Sequence, residues 1–353
     1  MRKLILHVGV HRTGTTSTQK FMRENFQALL KKGCLYPFGV KRHDRIVQRL
    51  LRNEVPAGRL ARDLERRAAS HPNRVDTIVL SDEDMSLIRD FRVFEPLKES
   101  FDVKVVVSLR RQDLWLESWY LQNVKWQWNA ALAHLTFAEF FARRAEFFWI
   151  DYAARFAHFE EVFGPGSVTA GVFEKGDMPD GPIQAFLRMI GIEDMSGFSP
   201  FLHSNSSLSP LMSEMMRHLP MDRMAPKERA LVEAACIEVD RTLPSNGSKL
   251  VMPYEQRQLV LAEYEDSNRR SAQAHFGRDV LFQEPLPLKT DALADQTLPG
   301  DAQDLIRLFM APILRELADL MAAVRMERDA KTTDLWESRP VWKPAKATEQ
   351  DFS

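Results

Sequence analysis

The sequence predicts an α/β protein with a central parallel sheet flanked by helices, followed by a mainly helical C-terminal part. Short apolar runs rich in β-branched residues alternate with helical patterns in the first half of the chain, a succession typical of βαβ units. These predicted strands lie at 4–10, 75–81, 103–109 and 168–173. Polar or charged residues follow the first three runs directly. Because ligands of parallel sheets bind at the carboxyl ends of strands, these segments are the first candidates for a site.

The helical patterns have apolar residues at the spacing of amphipathic helices. In the first pattern, over 17–32, Phe21, Phe26 and Leu29 share one face, and Gly33 ends it. The other predicted helices cover 43–70, 113–128, 208–218, 225–241, 254–275 and 301–328.

These elements divide the chain into four parts. An α/β domain covers 1–283 and includes the helical region from about 200. A proline-bearing connector over 284–300 leads to the C-terminal helix, 301–328. The polar tail, 329–353, is expected to be disordered or to lie over the surface as an arm.

Composition narrows the class of protein. The chain has 353 residues, of which 44% are hydrophobic, enough to bury a substantial core. Its 48 basic and 49 acidic residues give no reason to expect nucleic acid or an anionic membrane as a partner. Two cysteines predict no disulfide framework and no metal cluster. No run reaches the roughly 18 apolar residues of a membrane span, so we expect a cytoplasmic protein.

The first strand runs into a loop rich in glycine and hydroxyl residues, His7-Val8-Gly9-Val10-His11-Arg12-Thr13-Gly14-Thr15-Thr16-Ser17. Successive backbone N–H groups and a helix N-terminus would surround one anion, which predicts a P-loop-like sheet with a phosphate cradle. The nucleoside triphosphatase loop has lysine directly after its second glycine. Here that position is Thr15, and the basic residue, Arg12, comes before Gly14.

A second anion site is predicted at the end of the third strand. Arg110 follows this strand, and Ser118 lies eight residues later on the next predicted helix. A guanidinium presents a planar fork of donors to a phosphate, and a hydroxyl group adds one more. The alternative is that both are ordinary surface residues.

The loop and the Arg110–Ser118 pair resemble the donor motifs of the PAPS-dependent sulfotransferase superfamily, in particular its bacterial branch. PAPS is 3′-phosphoadenosine 5′-phosphosulfate. Softer similarity lies at 33–37 with His43, at 80–83, at Asn268 and at 276–282. The resemblance implies PAPS as co-substrate and no metal. The donor-binding residues that it implies are Arg12, Thr13, Gly14, Thr15, Thr16, Ser17, Arg110, Ser118, Gly277 and Arg278.

The predicted activity is therefore transfer of a sulfuryl group from PAPS to a hydroxyl of a carbohydrate, glycolipid or small metabolite. The superfamily's loop lysine is replaced by Arg12, which stabilises charge but does not give up a proton. Glu83 is the first choice for the base that activates the acceptor, and His43 is the alternative. A helix-capping or ion-pairing role is the structural alternative for Glu83, as a solvated basic turn is for His43.

Two other functions are compatible with these motifs. A P-loop nucleotide kinase would use the same loop, although Thr15 stands where its lysine is expected. A catalytically decayed nucleotide-binding protein would also keep these motifs. The sequence carries no signal for the acceptor or for the oligomeric state.

Overall fold

The computed structural model describes residues 1–200, 208–243 and 247–337. Its five-stranded sheet has the order β2-β3-β1-β4-β5, and every paired strand is parallel to its neighbour. The strands are β1 (Arg2–Gly9), β2 (Cys34–Leu35), β3 (Thr77–Ser81), β4 (Phe101–Leu109) and β5 (Val168–Val172). Helices cover the sheet on both sides, which confirms the predicted α/β class.

The predicted helices are present, although several of them are divided, and the helices between residues 130 and 189 were not predicted. The α-helices are α1 (Thr15–Glu24), α2 (Phe26–Lys31), α3 (Asp44–Leu51), α4 (Ala57–Ala69), α5 (Gln112–Trp126), α6 (Ala130–Ala133), α7 (Phe137–Ala142), α8 (Tyr152–Phe163), α9 (Pro182–Met189), α10 (Pro210–Arg217), α11 (Pro226–Asp240), α12 (Tyr254–Glu263), α13 (Glu265–Phe276), α14 (Ala302–Leu305) and α15 (Ala311–Glu337). The predicted helix over 43–70 breaks before Pro56, which has extended backbone and caps α4.

Strand β1 lies in the middle of the sheet because it is apolar on both faces. Leu4 and Leu6 pack into one core with the side chains of α5 and α8. Ile5 packs into a second core with Phe21 of α1 and Phe186 of α9. Such a strand is stable only where both faces are covered, as in doubly wound sheets.

The mainly helical C-terminal part is fastened to α5 by a buried ion network. Arg257 of α12 is 1% exposed and lies 2.9 Å from Asp113 and 2.8 Å from Glu117. Asp113 is also paired with Arg111 at 2.7 Å. Glu117 further accepts a hydrogen bond from the backbone N–H of Met252 at 2.9 Å. Buried charges persist only when they are paired in this way.

The C-terminal helix differs from its predicted limits. A π-helical turn, Ile306–Met310, joins α14 to α15, and α15 continues to Glu337, past the predicted end at 328. The rest of the predicted tail, 338–353, lies outside the described residues. Across the described ranges, no helix combines the length and the apolar character that crossing a bilayer requires.

We expect Arg257→Met to lower the free energy of unfolding by about 3–5 kcal/mol, because the substitution leaves the buried Asp113 and Glu117 short of a partner. Urea denaturation would measure the change. The matched control is Arg269→Met, whose guanidinium is 58% exposed and pairs with an exposed aspartate; we expect it to change stability by less than about 0.5 kcal/mol. Equal effects of the two variants would contradict the role given to the network.

Candidate functional site

The site begins where β1 ends. Gly9 has φ of +95° and Gly14 has φ of +80°, values that disfavour any residue with a side chain. A Cβ atom on Gly14 would lie 2.9 Å from Cγ of Pro182, at the start of α9. The loop between β1 and α1 therefore needs glycine for both backbone conformation and packing.

The loop presents free backbone donors. The N–H groups of Ser17 and Thr18 donate to the carbonyl of Gly14, and the hydroxyl of Thr13 donates to the carbonyl of Val10 at 2.6 Å. No contact among the described residues uses the N–H groups of residues 13–16. The first N–H groups of a helix have no intrahelical acceptor, so these four are available to an anion.

The predicted basic residues meet at this loop. Nε of Arg12 donates to Oγ of Ser118 at 2.6 Å, and its Nη1 donates to Oε1 of Gln122 at 3.2 Å. Nη1 of Arg110 donates to the carbonyl of Arg12 at 2.8 Å. The structure thus brings together the loop, the end of β4 and the exposed edge of α5.

These two guanidinium groups are not neutralised. Neither Arg12 nor Arg110 forms an ion pair with a carboxylate in the part of the chain that the structure describes. Burial, and next the charge of Arg12, lower the pKa of Arg110 to about 10, so both remain cationic near neutral pH. Adjacent, unpaired positive charges beside free N–H groups make this corner suited to anions.

Three carboxylates follow β3 on the other side of the loop. Arg42, just before α3, reaches all of them, with nitrogen–oxygen distances of 3.2 Å to Asp82, 3.1 Å to Glu83 and 2.8 Å to Asp84. The second oxygen of Glu83 accepts a hydrogen bond from Nε2 of Gln19 at 2.5 Å. We call this group the acidic cluster. Within the described ranges, no set of three or more His, Cys, Asp or Glu residues is placed to hold a metal ion.

One carboxylate of the acidic cluster has a buried oxygen without a hydrogen-bond partner among the described residues. Asp82 is fully buried, and its Oδ2 has no hydrogen-bond partner among the described residues. Burial raises the pKa of Asp82 to about 7, although the charge of Arg42 opposes the rise. A single arginine cannot neutralise three carboxylates, which favours a protonated Asp82 near neutral pH.

His43, the alternative base, is held away from this chemistry. Its Nδ1 accepts a hydrogen bond from the N–H of Ser81 at 3.0 Å, and its Nε2 donates to the carbonyl of Pro37 at 3.0 Å. Burial lowers its pKa. Both ring nitrogens therefore serve the backbone beside β3, and neither faces the loop.

Gly277 and Arg278 also stand apart from the loop. Gly277 ends α13 with φ of +63°, and Arg278 pairs with Asp177 at 2.9 Å and donates to the carbonyl of Leu281 at 2.6 Å. No contact between Arg278 and the basic pair, Arg12 and Arg110, occurs among the described residues.

Three residues that the sequence analysis did not assign belong to this site. Arg42 and Gln19 hold Glu83, and His11 places its Nε2 3.1 Å from Oδ1 of Asp84. The basic run at 41–45 was a usable signal for Arg42, but the sequence does not show which of its members turns toward the acidic cluster.

Known proteins resemble this chain only over part of its length or at low sequence identity. No protein-family model matches the chain. An uncharacterized protein of Archaeoglobus fulgidus is 28% identical over 194 residues, which cover 54% of this chain and 50% of that protein. The chain thus spans half the length of this curated relative. The crystal structure of a sulfotransferase from Alicyclobacillus acidocaldarius aligns with 67% of this chain and 95% of its own, at 14% identity and a TM-score of 0.38.

We expect Asp82→Asn to become more stable relative to the unmodified protein as pH rises from about 4 to about 7. The folded-state pKa of Asp82 lies above its unfolded value, so the native protein binds the extra proton in this window and loses stability with rising pH. The asparagine variant lacks this loss. Urea denaturation of both proteins at several pH values would measure the difference, which we expect to reach a few kcal/mol at most. A difference independent of pH would contradict the raised pKa.

Proposed function

We propose that the protein is a sulfotransferase that moves a sulfuryl group from PAPS to a hydroxyl of a carbohydrate, glycolipid or small metabolite. The observation that carries the proposal is the meeting of Arg12, Arg110 and Ser118 at the β1–α1 loop, with no carboxylate paired to either guanidinium among the described residues. A ligand with anionic groups on two arms, as in a 3′-phosphorylated nucleotide, matches two adjacent cationic donors and a separate set of backbone N–H groups.

The donor is assigned to these groups as follows. The N–H groups of residues 13–16, the hydroxyls of Thr15, Thr16 and Ser17, and Arg12 bind the 5′-phosphosulfate. Arg110 and Ser118 bind the 3′-phosphate. Gly277 and Arg278 would reach the nucleotide only if the pair between Arg278 and Asp177 opened, so the proposal does not depend on them.

Glu83 is the base in this proposal. The acceptor oxygen attacks sulfur as the bond between sulfur and the phosphate oxygen breaks, and the hydroxyl proton passes to Glu83. Its carboxylate is oriented by Arg42 and Gln19, yet each oxygen keeps a lone pair beyond these bonds. It also lies next to the loop, since a Cβ atom on Gly9 would be 3.3 Å from Cβ of Glu83. His43 has both nitrogens engaged and is not used.

Donor binding is tested first with 3′,5′-ADP, the product of PAPS. We expect isothermal titration calorimetry to show binding of 3′,5′-ADP in preference to ADP or to ATP with magnesium. Arg110→Ala should weaken the binding of 3′,5′-ADP about 10- to 100-fold, which is the contribution of one charge-assisted hydrogen bond. The matched control is Arg92→Ala, because Arg92 is 53% exposed and lies outside the site. Preference for ATP would favour a kinase, and no nucleotide binding would exclude the proposal.

Catalysis is tested with Glu83→Gln. We expect sulfate transfer from radiolabelled PAPS to fall by about 100-fold or more, because the acceptor loses its base. Binding of 3′,5′-ADP should be unchanged. Glu146→Gln, at a side chain that is 53% exposed, is the control for the substitution itself. Full turnover by Glu83→Gln would show that another group accepts the proton.

A further inference from the structure

We propose that His11 and Asp84 form a second proton-transfer pair, in which His11 is the general acid that protonates the leaving phosphate. This inference rests on the proposed sulfuryl transfer. Arg12 stabilises charge on the leaving oxygen but keeps its own proton, so this oxygen needs another proton donor.

His11 lies in the loop that is proposed to bind the donor, and its ring is held by packing. It directly precedes Arg12 in the β1–α1 loop, and its backbone carbonyl accepts a hydrogen bond from Nε1 of Trp115 at 3.0 Å. Its ring packs against Trp119 of α5, with centroids 4.6 Å apart. The imidazole is 4% exposed, so its orientation is set by the protein rather than by solvent.

The two ring nitrogens have different surroundings. Nε2 is buried and lies 3.1 Å from Oδ1 of Asp84, an ion-pair distance, although the approach is too oblique for a linear hydrogen bond. Nδ1 has no protein partner among the described residues. A histidine with one nitrogen against a carboxylate and the other available is the arrangement that general acid–base catalysis uses.

The carboxylate beside the ring is ionised. Burial opposes ionisation of Asp84, but its contacts with His11 and Arg42 outweigh burial and lower its pKa. Asp84 is therefore negative near neutral pH, and its carboxylate lies on the Nε2 side of the His11 ring. The other charged groups near the ring are Arg42, which shares Asp84, and Arg12, the next residue in the chain. Trp119 contributes no charge.

The step is balanced. The acceptor oxygen forms a bond to sulfur, and the bond from sulfur to the 5′-phosphate oxygen breaks with its electron pair on that oxygen. The oxygen takes the proton from Nδ1 of His11, and Glu83 receives the acceptor proton. Glu83 then holds one additional proton, and His11 has given one up. Exchange with water restores both groups, and the sulfated acceptor and 3′,5′-ADP leave.

Cleavage of radiolabelled PAPS by the full chain, with water or a panel of simple sugars as acceptor, tests the acid. We expect His11→Ala to cut the rate by about 100-fold, to keep its affinity for 3′,5′-ADP, and to recover activity when imidazole is added. The recovery should fall as pH rises, because the imidazolium form is the active one. Asp84→Asn should retain part of the activity. His218→Ala, at a side chain that is 52% exposed, should be unaffected and show no response to imidazole.

Other outcomes overturn the proposal. Failure of imidazole to rescue His11→Ala, together with full activity of His11→Gln, would mean that His11 only shapes the loop. Rescue that grows with pH would make the residue a base. If the unmodified protein binds 3′,5′-ADP but leaves PAPS intact, then both the transfer and the acid are refuted. If it binds no 3′,5′-ADP, the proposed function itself fails.

Discussion

The parallel pairing of β1 between β3 and β4 is the constraint on which the rest of the site depends. His7 of β1 lies opposite Ser81 of β3 and Val106 of β4. Because all three strands run in one direction, the segments that follow them meet at the same edge of the sheet. A shift of one residue would exchange the side chains that β1 places in the two cores, so packing on both faces holds the register. The β1–α1 loop, the acidic cluster and Arg110 are thereby brought to one place.

This edge separates charge within a nearly neutral protein. On one side the guanidinium groups of Arg12 and Arg110 stand together without carboxylate partners among the described residues. On the other side a single arginine, Arg42, holds the three carboxylates of the acidic cluster. His11 lies between the two and contacts Asp84. The first side suits an anion, whereas carboxylates, which can accept protons, lie on the second. In the proposed transfer, the first side would hold the donor and the second would take the proton of the acceptor hydroxyl.

The sequence predicted helices and strands better than it predicted the contacts of single side chains. Local signals, namely strand and helix periodicity and glycine positions, predicted strands β1, β3, β4 and β5, the β1–α1 loop and the helix after Arg110. The break before Pro56 was missed although proline is such a signal. His43 was the alternative base, whereas its neighbour Arg42 makes the contacts with the acidic cluster. Neighbouring residues of an irregular segment point in unrelated directions, so the choice between them needs coordinates.

The sequence by itself determined the α/β class, the glycine-containing loop after β1 and the polar residues that follow the strands, since each depends on residues close in the chain. Only the tertiary structure decided which of them meet. In the structure Arg12 donates to Ser118 of α5, both ring nitrogens of His43 bond to the backbone, and His11 lies next to Asp84. The physical reason is that such contacts join segments tens of residues apart, and their geometry follows from strand register and side-chain packing, which no short pattern records.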